Sequence, residues 1–361
     1  AKFPDNICRI AKDGGYEVHA YEPVTDLCER TWGLGTRITG TIRRALGADD
    51  PRAPVDLLPT DLEKKLARAL NKPFEQPFTE IGEGRREAFD RFIDGLPENR
   101  RSLSFLHSTL PHVFWMYLPD GRTYPDFRTP GATQLVSPPT EAEVNRDAQQ
   151  MMLQLRFTDH KLGRLIRKMK ANGTWDETLF IVTADHGASF QPNGSRRMVN
   201  IFNSGWIVPV PLFIKFPGQS QGQIVKGTAD GRDIATTVMA QLGLEPLDSM
   251  DGRDLTGVSR LPVEETVTTS SAYEGRTELD TAAIGPARVQ ASRYMQDLLG
   301  ESFYATGGHA GLLGKKPEGL REIPATPTDP ALYENVDTSA EELPAYFQAQ
   351  LETPGDKEPG P

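Results

Sequence analysis

An α/β fold with a mostly parallel sheet flanked by helices is predicted by three features of this chain. Leu179-Phe180-Ile181-Val182 is an apolar run that stops at Thr183-Ala184-Asp185-His186-Gly187. Four large apolar residues in a row read as a strand buried on both faces, the kind found inside a parallel sheet. Before that run, Val144, Ala148, Met151, Met152, Leu155, Leu162, Leu165, Ile166 and Met169 recur at helical spacing, so 140–172 reads as one long amphipathic helix. Leu103-Ser104-Phe105-Leu106-His107 reads as the strand preceding the helix, which completes a βαβ unit, and 210–215 supplies a further strand.

The remaining elements follow from local chemistry. Residues 1–30 read as a helix that stops at Gly14-Gly15 and a strand at Tyr16–Tyr21. Residues 31–60 are a connector rich in Gly, Arg and Pro. Thr60 and Glu63 form a capping-box pattern that opens a helix with Leu62, Leu66 and Leu70 on one face. A further helix spans Glu87 to Ile93 and ends near Gly95-Leu96-Pro97. Thr140 and Glu143 repeat the capping box at the start of the long helix, and Asn172-Gly173 stops it. From about 257 the pattern changes. Val263 to Thr269 alternates weakly and reads as strand, and Ile284 to Met295 reads as an antiparallel addition with a hairpin at Gly285-Pro286. Beyond Lys315 the chain is rich in Pro, Glu and Thr. That composition predicts an irregular tail whose last ten residues are disordered.

The candidate site lies where the strands end. Asp185 and His186 sit at the carboxyl end of the 178–184 strand, the edge at which open α/β sheets place their ligands. A carboxylate beside an imidazole supplies the mixed oxygen and nitrogen donors that a divalent metal takes. The alternative is an ordinary polar strand end, with Asp185 capping the next turn and His186 solvated. His107 and His112 follow the neighbouring strand, so His112 is expected to meet Asp185 and His186 in one pocket. His309 lies in Thr306-Gly307-Gly308-His309-Ala310-Gly311, where glycines let backbone approach a ligand closely; a flexible surface loop is the alternative. His160 falls on the wet face of the long helix, and His19 reads as structural.

Composition bounds the partners. The 361 residues carry 50 acidic and 40 basic side chains, a net charge of −10, which gives no general affinity for nucleic acid. Arg37, Arg43, Arg44 and Arg52 are interleaved with Asp49 and Asp50, as in a solvated loop. The sequence contains no apolar run long enough to span a membrane and shows no signal peptide. Its two cysteines, Cys8 and Cys28, would form a disulfide in an oxidising compartment and remain two thiols in cytosol.

Four landmarks in order resemble the sulfatase-like hydrolases and transferases of the alkaline-phosphatase-like superfamily. Thr183-Ala184-Asp185-His186-Gly187 resembles the (T/S)-x-D-H-G signature. Leu110-Pro111-His112-Val113-Phe114-Trp115 is similar to the PH-x-P(W/Y) segment, with Phe114 where the second proline stands. Val208-Pro209-Val210-Pro211-Leu212-Phe213-Ile214-Lys215-Phe216-Pro217-Gly218 resembles the VPL strand and loop. Asp233-Ile234-Ala235-Thr236-Thr237 followed by Asp251-Gly252-Arg253-Asp254-Leu255 is similar to the family's D-(I/V)-x-P-T helix and DGRSL turn.

The resemblance implies an alkaline-phosphatase-like fold over 1–256, followed by a C-terminal α+β extension over 257–315 and the tail at 316–361. It implies a hydrolase or transferase acting on sulfate or phosphate esters with one divalent metal ion (Mn, Zn, Ca or Mg). Asp185 and His186 are the expected metal ligands, His112 the catalytic histidine, and His107 and His309 substrate contacts. The expected substrate is an anionic ester, such as a cell-envelope glycan or a lipid head group, in an extracytoplasmic protein whose parent is membrane-anchored. That setting favours a Cys8–Cys28 disulfide. The sulfatase pattern C-x-P-x-R is met at neither cysteine, which points to a Thr or Ser nucleophile. Because the family's opening metal-binding Asp and its nucleophile come before these landmarks, the chain reads as the carboxyl-terminal part of a longer domain, inactive by itself. Two other readings stay open: a non-catalytic domain binding a glycan or protein, and a two-metal phosphodiesterase.

Overall fold

A computed structural model describes residues 6–22, 28, 84–98, 101–124, 140–192, 194–271, 275–300, 311, 314–316, 324–328, 330–344 and 349–351. In chain order these form a helix (Ile7–Asp13), β1 (Glu17–Tyr21), a helix (Arg85–Asp94), β2 (Ser102–Leu106), the long helix Glu141–Ala171, and β3 (Phe180–Thr183). A short helix (Ser204–Ile207), β4 (Leu212–Lys215), a helix (Gly231–Leu242), β5 (Thr266–Ser271), β6 (Gly275–Asp280) and a helix (Thr281–Leu299) follow. The connector at 31–60, the helix opened by Thr60 and the last ten residues lie outside the described residues. Among the described residues, no helix is long and apolar enough to cross a membrane. They fall into two compact units. One takes the chain up to Leu110 with 161–185 and 210–267; the other takes 111–160, 186–209 and the chain from 268.

In the first unit Asn6 caps the opening helix, its Oδ1 accepting from Arg9 N at 2.9 Å. β1 pairs parallel with β2, Glu17 opposite Ser102 and Tyr21 opposite Leu106. Beneath them Cys8, Ala20 and Cys28 are buried against Ile7, Val18, Leu103 and Phe105. Cys8 and Cys28 form a disulfide with Cα atoms 5.5 Å apart. The loop it closes is worth about 3 kcal/mol in the chain-entropy account. Reduction should lower the unfolding free energy in urea by about that much; coincident midpoints with and without reductant would contradict it. His19 is structural, as expected. Its ring stacks on Phe92 with centroids 4.8 Å apart, its Nε2 bonds Phe92 O at 3.1 Å, and burial holds its pKa below the ordinary imidazole value.

β3 pairs antiparallel with β4, Phe180 opposite Lys215 and Thr183 opposite Leu212. This corrects the expectation of a parallel, fully buried strand, since Phe180, Ile181 and Val182 are only half-buried. An apolar run marks a strand but does not encode the direction of its partner. Here that partner sets Phe213, 67% exposed, opposite Val182.

The helix Gly231–Leu242 opens on a capping box between Asp230 and Asp233. Asp233, 2% exposed, accepts from Arg253 N at 2.8 Å and Arg253 Nη2 at 3.1 Å. Thr237 Oγ1 accepts from Leu255 N at 3.0 Å. The last sequence landmarks are therefore structural, tying this helix to the 251–255 turn.

In the second unit Trp115, Val144, Ala148 and Phe190 form the core, packed by Val113, Met151, Ala188, Trp206, Met295 and Leu298. The stretch 284–295, expected as a hairpin, lies within the helix Thr281–Leu299, which contains Pro286. Gly-Pro is a local turn signal, but packing prevails. Ile284, Ala291 and Leu299 are buried at helical spacing, and Trp206 meets Tyr294 edge-on at 5.8 Å. Parts of the Pro-rich tail also pair. Ala325–Pro327 runs antiparallel to Ala349–Leu351, and Thr123 N donates to Glu341 O at 2.9 Å.

Candidate active site

The carboxyl edge of β1 and β2 carries two adjacent ionisable groups. Glu22 follows β1 directly and His107 follows β2. His107 N donates to Tyr21 O at 2.9 Å, extending the parallel ladder by one step and setting the two side chains abreast. His107 Nδ1 lies 2.6 Å from Glu22 Oε1, and a carboxylate can only accept, so Nδ1 carries the hydrogen. Glu22 is fully buried, while the His107 ring is 31% exposed. The hydrogen bond to Glu22 raises the His107 pKa; burial opposes it, and the charges of Glu22 and Asp185 add to the rise. Asp185, exposed two residues beyond β3, is therefore within electrostatic reach of His107. The first unit thus holds Glu22 and His107 in contact, with the Asp185 charge acting on the His107 ring.

The second unit fixes the other two histidines. His186 Nδ1 bonds Gly187 O at 2.7 Å and His112 Nδ1 bonds Val113 O at 2.5 Å. A carbonyl only accepts, so each ring carries its hydrogen on Nδ1 and, when neutral, its lone pair on Nε2. The His112 loop is pinned from the long helix by Gln154, fully buried. Gln154 Nε2 donates to His112 O at 2.8 Å, and its Oε1 accepts from Met116 N at 3.0 Å. His160, on the exposed face, bonds Pro119 O at 2.8 Å. His309 lies outside the described residues.

Gly187 has a steric reason. Its N donates to Ile207 O at 2.8 Å, and a Cβ built on it would stand 2.1 Å from Trp206 O. Gly187→Ala must push the Trp206–Ile207 backbone away and carry the His186 turn with it. We expect a loss of about 1–3 kcal/mol in urea unfolding, with a shifted His186 ring resonance. A variant as stable as the parent would contradict that packing.

A carboxylate and an imidazole whose lone pair sits on Nε2 match the donor chemistry of a divalent cation. Among the described residues no group of three His, Cys, Asp or Glu side chains is placed to hold a metal. Sequence reasoning missed two groups, one in each unit. Glu22 had one available signal, a carboxylate directly after a strand; Gln154 lies on a helix whose apolar period draws attention away from it.

A model of the Sulfatase family matches residues 1–244. The multifunctional alkaline phosphatase superfamily protein PehA of Trinickia caryophylli is 35% identical over 99 residues, 27% of this chain and 19% of its own. An ulvan-active sulfatase of Formosa agariphila is 26% identical over 147 residues, 39% of this chain and 29% of its own. The match thus spans under a third of either relative's length. The phosphonate monoester hydrolase SpPMH from Silicibacter pomeroyi superposes with a TM-score of 0.48 at 18% identity, covering 75% of this chain and 65% of that one.

Proposed function

Because the chain belongs to the sulfatase family, with that family's alkaline-phosphatase-like fold, we propose that it serves a metal-dependent hydrolase or transferase of sulfate or phosphate esters. The observation that carries the reading is the turn at 183–187, where a strand delivers Asp185 and the hydrogen bond to Gly187 O sets the His186 tautomer. Asp185 and Nε2 of His186 would hold the ion; a bound divalent cation supplies charge neutralisation at the ester oxygens.

The chain's own groups do the rest. His107 contacts an anionic ester oxygen. His112, with Nδ1 committed to Val113 O, works through Nε2, contacting the ester or delivering a proton to the leaving oxygen. Neither cysteine is a nucleophile, because both sulfurs are joined in the disulfide; a Ser or Thr hydroxyl is the proposed attacking group. The same disulfide supports an oxidising, extracytoplasmic setting. The substrate we favour is an anionic glycan or lipid head-group ester, with a sulfated glycan in line with the ulvan-active relative.

The test offers the whole protein, with any sequence that accompanies these 361 residues, chromogenic sulfate esters and phosphate mono- and diesters after EDTA treatment, then with Mn²⁺, Zn²⁺, Mg²⁺ or Ca²⁺ restored. The expected result is turnover of at least one ester class that depends on the added metal. Equal turnover with EDTA present would overturn the metal assignment. Failure to turn over any ester, with no metal binding by calorimetry, would overturn the reading as a whole.

A further inference from the structure

The Glu22–His107 pair sets a fully buried carboxylate against an imidazole at the carboxyl edge of β1 and β2. A fully buried carboxylate is costly to desolvate, and β1 and β2 also carry the apolar cluster of Ala20, Val18, Leu103 and Phe105. The carboxylate accepts from the His107 imidazole at 2.6 Å, at the strand edge where α/β sheets bind ligands. Both groups are placed by backbone: Tyr21 and Leu106 are register partners, and the ladder continues through His107 N to Tyr21 O.

We propose that Glu22 is the positioning residue of His107, holding the imidazole by Nδ1 and thereby presenting Nε2 to an anionic oxygen of the ester. This rests on the reading that the β1–β2 edge receives a sulfate or phosphate ester. Glu22 also favours the protonated ring, as its hydrogen bond is the largest cause of the raised His107 pKa. A protonated ring held at Nδ1 offers Nε2–H as a charge-assisted donor, the kind of bond that suits sulfate and phosphate oxygens.

The test uses the protein with ¹⁵N-labelled histidine and follows the two-bond ring correlations while inorganic sulfate, then phosphate, is added. In the parent, His107 Nδ1 should be protonated, and its Nε2 should move on anion addition. Glu22→Gln should weaken the anion about tenfold, the scale of one charge-assisted bond, and raise KM for an ester more than it lowers kcat. Glu22→Asp, which keeps the charge, should recover part of the loss. If Glu22→Gln fails to fold, the parent spectra and His107→Gln decide: unchanged anion affinity in His107→Gln overturns the proposal. Anion shifts confined to His112 and His186 would also overturn it while leaving the ester reading intact. An unprotonated His107 Nδ1 would overturn it whatever the anion does. No ring moved by either anion, together with no ester turnover, would instead condemn the reading of the site, and the proposal with it.

Discussion

Asp185→Ala is expected to lower metal-dependent ester turnover by on the order of 10³-fold. A divalent ion contributes several kcal/mol of charge stabilisation to a transferring anionic group, and each 1.36 kcal/mol is tenfold in rate. Removing the carboxylate leaves His186 as the one proposed ligand at this turn, so affinity for the ion should fall as well. Asp185 is exposed and lies beyond the end of β3, which makes the change inexpensive for the fold. Stability in urea should stay within about 0.5 kcal/mol, the usual range for surface substitutions. Calorimetric titration with Mn²⁺ and Zn²⁺ reads the metal without requiring turnover. Parent-like affinity in Asp185→Ala would show that the ion, if one is used, is held elsewhere.

The strand end before Asp185 and His186 was legible because the apolar run stops abruptly on polar residues. The long helix was legible for a different cause. Its apolar period is sustained over many turns, and it begins at Thr140, whose N donates to Glu143 Oε2 at 2.8 Å, and ends at Asn172-Gly173. Strand direction was not legible, since β3 reads the same whether its partner runs parallel or, as here, antiparallel. The helix at 284–295 was misread because Gly285-Pro286 is a strong local signal, and the contacts that override it, Trp206 on Tyr294 among them, join residues far apart in sequence.

Glu22, Asp147 and Gln154 share one reason for being missed. Each is a polar residue at a buried position, and burial of a polar group is decided by a partner that periodicity cannot name. Glu22 needs His107, Gln154 needs the backbone at 112–117, and Asp147 needs Arg196. The sequence spacing between partners runs from 37 to 85 residues.

Asp147 and Arg196 carry the largest expected effect on stability. Asp147 is fully buried between Val144 and Ala148 of the core. Arg196 Nη2 donates to its Oδ2 at 2.6 Å, whereas Arg146 reaches Oδ1 only at 3.5 Å. Arg196 also lies over Trp115 and Phe190, 5.0 and 4.9 Å from the ring centroids, so it seals the core as well as neutralising the carboxylate. Arg196→Met keeps much of the apolar stem and removes the charge. It should cost about 3–5 kcal/mol, the usual result of stranding one member of a buried pair, read as a lower urea midpoint.

The pH dependence has a definite sign. Burial already pushes the Asp147 carboxyl up, with Arg196 first among the groups pulling it down; without Arg196 it must rise further. A folded-state carboxyl pKa above the unfolded one makes the folded protein bind more protons, so stability falls as pH rises. The Arg196→Met deficit should therefore be larger near pH 8 than near pH 5. Replacing both partners, Arg196→Met with Asp147→Leu, should recover most of the loss, because no charge is then left buried without its partner. A deficit independent of pH and not repaired in the double variant would mean that Arg196 acts through its stacking on Trp115 and Phe190 rather than through Asp147.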